Sequence, residues 1–295
     1  MPWLQLTINS KKSMAGQIEE VLTNAGALSV SYEDNGAQAI LEPEIGKHPL
    51  WDLISMTGLF DTSANTNLIN DILNQQLKLK KTEHQWELLE DRDWERESLK
   101  NYRPIKCGHR LWICPSWITP PEPEKINLLL DPGLAFGTGT HPTTFLCLQW
   151  LDATRLEGKT IIDYGCGSGI LAIASLLLGA KNTTCIDVDP QALMATTENA
   201  KRNGLMANLT AVYLPEDAPN YPADIVIANI LSGPLISLAS RLASLTSPGG
   251  LLCLSGVIES QSEKVQENFS AWFEFNSPVY KENWALLTAK KRQFM

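Results

Sequence analysis

Cysteine pairs, basic charge and long apolar runs are all scarce in this sequence, and each scarcity removes a class of protein. The six cysteines, at 107, 114, 147, 166, 185 and 253, form no CxxC pair. Cys107, His109 and Cys114 lie close together, but no fourth ligand falls at a zinc-like spacing, so no metal site is expected. Lys and Arg number 24 against 33 Asp and Glu, a net charge of −9. A general nucleic-acid binder needs a basic face, so direct nucleic-acid binding is not expected. An acidic surface favours a basic partner instead. No apolar run reaches the roughly 18–20 residues of a membrane span. The opening "MPWLQLTINSKK" also lacks the basic-then-apolar pattern of a secretory signal. The expectation is a protein of a reducing, cytoplasmic compartment with no membrane association.

What is present suits ordered globular structure. Apolar residues make up 44% and charged residues 19%, and 295 residues are enough for two modest domains. Residues 1–91 alternate between short strand-like and helix-like stretches. "WLQLTIN" alternates like a strand, and "SKKSMAGQIEEVLTNAG" spaces Met14, Ile18, Val21 and Leu22 like a helix, with Ser10 as N-cap and Gly26 as stop. "ALSVSYED", "DLISMTGLFD", "NLINDILNQQL" and "QWELLED" complete a β-α-β-β-α-β order, that of a ferredoxin-like α+β sandwich. This block has no histidine cluster, glycine cradle or activated nucleophile, so it should bind or pack against something. Residues 92–125 change character: the charged "DRDWERESLKNY", a candidate short connecting helix, the aromatic-rich and strand-like "RPIKCGHRLWICPSW", then "ITPPEPEK", whose prolines favour an extended connector.

From 126 to 295 strands alternate with helices, the pattern of a doubly wound, mostly parallel α/β sheet. "TIIDY" reads as a strand, followed by the glycine loop of "IIDYGCGSGI" and the nearly all-apolar helix "ILAIASLLLGA". The next strand, "TTCIDVD", leads to a helix with Asp189 as N-cap and Pro190 at its first position, ending at Asn203-Gly204. "LTAVYL", "ADIVIANI" and "LLCLSG" are further strands. A helix is expected across 234–245 and a turn at Pro248-Gly249-Gly250, with a terminal hairpin in "PVYKENWALLTAKKR".

Ligands of such sheets sit beyond the carboxyl ends of the strands, where strand order reverses. Gly165 and Gly167 allow a sharp turn and close approach of the backbone to a ligand. Asp187, ending the second strand, can accept hydrogen bonds from both hydroxyls of a ribose. A dinucleotide fingerprint would read G-x-G-x-x-G, but here the third glycine comes one residue early. Asp163 would also set negative charge beside a pyrophosphate, whereas it suits a cationic ligand. Spacing and charge together favour S-adenosylmethionine, with its sulfonium and ammonium, over NAD.

The stretch "LAFGTGTHPTT" opens a helix at 142–152, with Pro142 at its first position. That N-terminus can receive the carboxylate of the donor's methionine portion, assisted by Thr143 or Thr144. At the end of strand "ADIVIANI", Asn229 can accept a hydrogen bond from an amine and aim its lone pair at the methyl group. It can equally contact the cofactor or cap the next helix. His141 is available as a base but also as a helix cap, and Phe136 and Trp112 are candidate aromatic partners for a methylated cation.

Taken together, "LAFGTGTHPTT", "IIDYGCGSGILAIA", "IDVDPQAL…NAKRNG" and "VIANILSGPL" closely resemble the bacterial ribosomal protein L-eleven methyltransferases. The likeness covers the catalytic block and continues through "LWICPSW". It implies an S-adenosylmethionine-dependent protein N-methyltransferase acting on amino groups, lysine side chains or the N-terminal α-amine, of large-subunit ribosomal protein eleven. It also implies that Thr144, Gly165, Asp187 and Asn229 contact the cofactor. The N-terminal block would recognise the substrate protein, with a linker allowing reorientation. The residues themselves leave other readings: an NAD-dependent oxidoreductase, a ribosome-associated module with an inert nucleoside pocket, or a methyltransferase of RNA or a small metabolite.

Overall fold

A computed structural model describes residues 2–36, 38, 49–77, 84–90, 102–131, 139–207, 209–218 and 220–293, with side chains left undescribed at 210–213. Two compact units divide the chain, Met1–Ser98 and Leu99–Met295.

In the first unit the strands β1 (Trp3–Lys11), β2 (Ser29–Asp34), β3 (Leu53–Asp61) and β4 (His84–Leu89) form an antiparallel sheet in the order β2-β3-β1-β4. Helices α1 (Ala15–Asn24) and α2 (Thr66–Leu77) contribute Ile18, Val21, Leu22, Ile69 and Leu73 to a core shared with Leu6, Ile8, Ile54, Met56 and Phe60. That is the ferredoxin-like arrangement. One local expectation fails: Ser10 pairs with Ile54 inside β1 and caps no helix. The ladder claims its backbone, and the chain enters α1 through a 3-10 turn at Lys12–Met14. Gly26, at φ 97°, does close the far end.

The second unit begins before residue 126. Of the stretch read as a connector, 92–101 lies outside the described residues. The remainder contributes β5 (Ile105–Cys107) and β6 (Leu111–Cys114), which with β7 (Ile126–Leu129) form a three-stranded sheet. Cys107, Leu111, Ile113 and Leu128 belong to the core of this unit. Their apolar side chains, more than the neighbouring prolines, decide where the segment packs.

The main sheet contains β8 (Thr160–Tyr164), β9 (Asn182–Ile186), β10 (Leu209–Tyr213), β11 (Ala223–Asn229), β12 (Thr246–Ile258), β13 (Phe273–Phe275), β14 (Val279–Lys281) and β15 (Trp284–Lys291). Its order is β10-β9-β8-β11-β12-β15-β13, with β14 on β15. The β8, β9, β10, β11 and β12 pairings are parallel, while β15 runs antiparallel to β12. Successive residues of β11 serve opposite faces. Ile225 and Ile227 join the core with α3 (Pro142–Ala153) and α4 (Ile170–Leu177). Val226 and Ala228 join the core with α6 (Ser232–Ser237), α7 (Ala239–Leu245) and α8 (Ser262–Phe269). The fifth helix, α5 (Pro190–Arg202), follows β9. Both faces are thus covered, as a parallel sheet requires.

Three local features differ from or refine the pattern. The helix expected across 234–245 breaks into α6 and α7 at Leu238. Pro248-Gly249-Gly250 is no chain reversal; it lies within β12, where the register slips between Ala223↔Thr246 and Ile225↔Leu251. The terminal hairpin is present, and Glu282 and Asn283 take φ of 51° and 65° between β14 and β15. Among the described residues no helix is long and apolar enough to cross a membrane.

Asp152, near the end of α3 and 6% exposed, ties that helix to the turn before β6. Its carboxylate accepts from the backbone N–H of His109 at 2.6 Å and of Arg110 at 3.2 Å, with the Arg110 guanidinium 3.4 Å away. Asp152→Ala would strand those donors, so it should lower the unfolding free energy of this unit by about 2–4 kcal/mol in denaturant titration.

Candidate functional site: a cavity where strand order reverses

The chain runs outward from β8 through β9 to β10, then returns to β11 on the other side of β8. The crevice this leaves above β8 and β11 is where an open α/β sheet binds ligands. A cavity of about 640 Å³ lies there. Its wall includes Tyr164, Gly165 and Gly167 after β8, Asp187 and Val188 after β9, and Asn229, Ile230 and Leu231 at the end of β11. His141 and Thr143 at the start of α3, Pro234, Leu238, Gly256 and Trp284 complete it.

The glycine loop needs its glycines. Gly165, Gly167 and Gly169 take φ of 78°, 55° and 76°, a region other residues resist. A Cβ on Gly165 would also collide with the Ile230 side chain. The loop is pinned from several sides. Gly165 N–H donates to the Ile186 carbonyl at 2.7 Å, and Gly167 N–H to Asp187 Oδ2 at 2.8 Å. From α5, Thr196 Oγ1 donates to the Gly167 carbonyl at 3.0 Å and Asn199 Nδ2 to the Ser168 carbonyl at 2.9 Å. α5 is itself started by Asp189, which accepts from Gln191 N–H at 2.8 Å, with Pro190 behind it. The second oxygen of Asp187 accepts from Asp189 N–H at 3.0 Å. Each carboxylate oxygen keeps a lone pair for a ligand hydroxyl.

Across the cavity, His141 caps α3. Its Nδ1 lies 2.7 Å from Thr143 Oγ1 and accepts from Thr143 N–H at 3.4 Å, and its ring meets Trp284 edge-on at 4.9 Å. Burial holds its pKa below the ordinary histidine value, against an opposing pull from Glu282. Asn229 Nδ2 donates to Thr144 Oγ1 at 3.2 Å, a contact between residues distant in sequence. Asn229 Oδ1 is buried and has no partner among the described residues.

Asp163, at the end of β8, is 1% exposed. One oxygen accepts from Ala172 N–H at 3.1 Å, while Oδ1 has no partner among the described residues. Burial pushes its pKa up to about 7; the Ala172 bond opposes the rise and the Asp187 charge adds to it. A positive charge nearby would relieve both burial and repulsion. The wall carries no lysine or arginine among the described residues. A wall with Asp187 and no lysine or arginine among its described residues suits a ligand bearing hydroxyl or N–H groups and positive charge, and suits a pyrophosphate poorly.

Gly165, Asp187 and Asn229 therefore share one wall. Thr144 stands behind it, 1% exposed and touching Asn229. Phe136 lies outside the described residues, and Trp112 is not on the wall; Lys106 sits over its ring at 5.3 Å. The aromatic surfaces that do line the cavity, Tyr164 and Trp284, were not anticipated. Thr196 and Asn199 were missed as well, since no local motif marks them.

The family model for ribosomal protein L11 methyltransferase (PrmA) matches residues 2–292. A ribosomal protein L11 methyltransferase of Cellvibrio japonicus is 53% identical over 291 residues, 99% of each chain. Another, of Teredinibacter turnerae, is 51% identical over 292 residues, 99% of this chain and 98% of that one. Among solved structures, the ribosomal protein L11 methylase of Lactobacillus delbrueckii subsp. bulgaricus is similar at TM-score 0.59 and 31% identity, over 65% of this chain and 100% of that one.

Because the folded pKa of Asp163 lies above its ordinary value of 3.8, the folded state holds the extra proton between them. This contribution to stability is full at low pH and is lost as pH rises to about 7. Asp163→Asn should therefore gain on the wild type as pH rises: its Tm relative to wild type should be several degrees more favourable at pH 8 than at pH 5. Parallel Tm profiles would contradict the assignment.

Proposed function

The chain belongs to the ribosomal protein L11 methyltransferase family, and on that footing we propose that it methylates amino groups of ribosomal protein L11, using S-adenosylmethionine held in the cavity above β8 and β11. The observation that carries the reading is the single wall bearing a pinned glycine loop, Asp187 and Asn229, with no lysine or arginine among its described residues. Asp187 would take the ribose hydroxyls, and the Gly165–Gly167 backbone would lie against the adenosyl group. Thr143 and the start of α3 would meet the methionine carboxylate. When bound, the donor supplies an electrophilic methyl group on a sulfonium.

The residues at the site then have a limited task. Asn229 Oδ1 accepts an N–H of the neutral substrate amine, which fixes the direction of its lone pair. Free amines must first lose a proton, since their reference pKa values are about 10.4 for lysine and about 7.7–8.0 for an α-amine. The apolar side of the cavity, from Ile230 to Leu238 and Trp284, lowers the amine pKa by desolvation. Recognition of the substrate protein falls to the N-terminal unit, which has its own core. Such work would be carried out in the cytoplasm, where ribosomal proteins are made.

Purified protein, labelled methyl donor and ribosomal proteins from a strain lacking this gene provide the test. One labelled band of the mass of L11, with amine methylation by mass spectrometry, is expected; label in RNA alone would overturn the protein-acceptor assignment. For the cofactor, Gly165→Val should abolish S-adenosylhomocysteine binding in calorimetry while the first ninety residues stay folded. Wild-type affinity in that variant would move the pocket elsewhere.

A further inference from the structure

A second cavity, of about 410 Å³, lies at the other ends of the strands, where β8 and β11 begin. Open α/β sheets take their ligands beyond the carboxyl ends, so this cavity is separate from the site above. Arg155 and Lys159 reach its wall from the segment between α3 and β8, and Asp224 from the start of β11. Lys290 near the end of β15 and Gln293 just beyond it stand on the same wall, together with residues 247–250 of β12.

Three of these side chains are cationic and one is acidic, in a chain of net charge −9. The acid is committed: Asp224 Oδ2 accepts from Thr160 N–H and Oγ1 at 2.9 Å each, and Oδ1 lies 3.4 Å from Lys159 Nζ. Arg155 meets Glu157 at 3.6 Å, but both side chains are largely exposed, where an ion pair contributes little. The Lys290 side chain has no ion pair or hydrogen bond among the described residues, although Glu274 stands opposite it in the ladder. Backbone completes the wall. Ala223 pairs with Thr246 and Ile225 with Leu251, so residues 247–250 bulge without a ladder partner in β11. Lys291 fixes the start of the bulge, its Nζ donating to the Ala243 and Thr246 carbonyls at 2.6 and 2.7 Å. A Cβ on Gly250 would lie 2.8 Å from the Asp224 and Ser247 carbonyl oxygens, so the wall there has to be main chain. Cations short of counter-charge, beside main chain outside the ladder, form a donor set for phosphate oxygens.

We propose that this cavity is a second binding site, for a phosphate-bearing anion, gripped by Arg155, Lys159 and Lys290 beside the bulge of β12. Arg155 presents a planar fork to phosphate oxygens, and the two lysines add point charges. A concave wall of one prevailing sign also raises the local concentration of anions. The phosphate can belong to a free ligand or to an RNA backbone, since the chemistry at the wall is the same. The inference goes beyond the methyl-transfer reading and does not depend on it.

Calorimetry at low ionic strength tests this with two probes, inorganic pyrophosphate and a short oligouridylate. Three proteins are compared: wild type, the cavity variant Arg155→Glu/Lys290→Glu, and the control Lys125→Glu/Lys264→Glu. The control makes the same change in net charge at residues off the cavity wall. At least one probe should bind wild type, lose about tenfold or more in affinity in the cavity variant, and change by less than about twofold in the control. Loss of oligouridylate binding in the cavity variant identifies an RNA backbone as the source, and a response of pyrophosphate alone identifies a free phosphate ligand. The proposal is overturned if neither probe binds wild type, if the cavity variant binds as wild type does, or if the control falls as far as the cavity variant. Equal thermal unfolding midpoints show that the variants are folded. Should the double variant unfold, Arg155→Gln and Lys290→Gln carry the same comparison singly, each with an expected loss of about threefold.

Discussion

A loop that passes through three left-handed glycines has almost no conformational preference of its own, so something else must hold its shape before a ligand arrives. Here the hold comes from Asp187. One of its oxygens receives Gly167 N–H and the other Asp189 N–H, so a single carboxylate fastens the glycine loop to the start of α5. Thr196 and Asn199 answer from the same helix by bonding the loop's carbonyls. The lone pairs left on Asp187 face a cavity that exists only because the chain turns back between β10 and β11. Removing this carboxylate would take away the proposed ligand contact and the scaffold of the loop together.

The site departs elsewhere from the rule that buried polar groups are matched. Asp163 Oδ1 and Asn229 Oδ1 both lack partners among the described residues. Each unmatched group costs about 1–3 kcal/mol in an interior. Folded proteins keep such defects mainly where function needs them. Both lie at the carboxyl ends of neighbouring strands, β8 and β11. The cavity wall carries Asp187 and, among the described residues, no lysine or arginine, which distinguishes a site suited to N–H groups and positive charge from one built for phosphate.

Much of this was legible because it is local. Pro142 and Pro190 mark helix starts, Gly204 marks a stop at φ 70°, and the strand–glycine–helix–strand–acid series places Asp187 beside the loop. The ferredoxin-like unit follows from alternation and amphipathic spacing alone. Features that depend on distant partners were not legible. Thr196 and Asn199 lie in a helix whose pattern reports only burial. Trp284 reaches the cavity through a hairpin some hundred residues along the chain from the glycine loop. Leu238 separates α6 from α7 without a proline or glycine of its own, and Pro248-Gly249-Gly250 looks like a turn until β11 shows it to be a slip in register. The strand-like character of 105–114 was legible too, but not its place in the core, which is decided by residues far along the chain.

The central claim is that Asp187 and the glycine loop together form the seat of an adenosyl group. A crystal structure of the protein with S-adenosylhomocysteine tests it most directly. The account predicts both ribose hydroxyls within hydrogen-bond distance of the Asp187 carboxylate and the adenosyl group against Gly165 and Gly167. Density for the compound in another part of the molecule, or with its ribose turned away from Asp187, would contradict it.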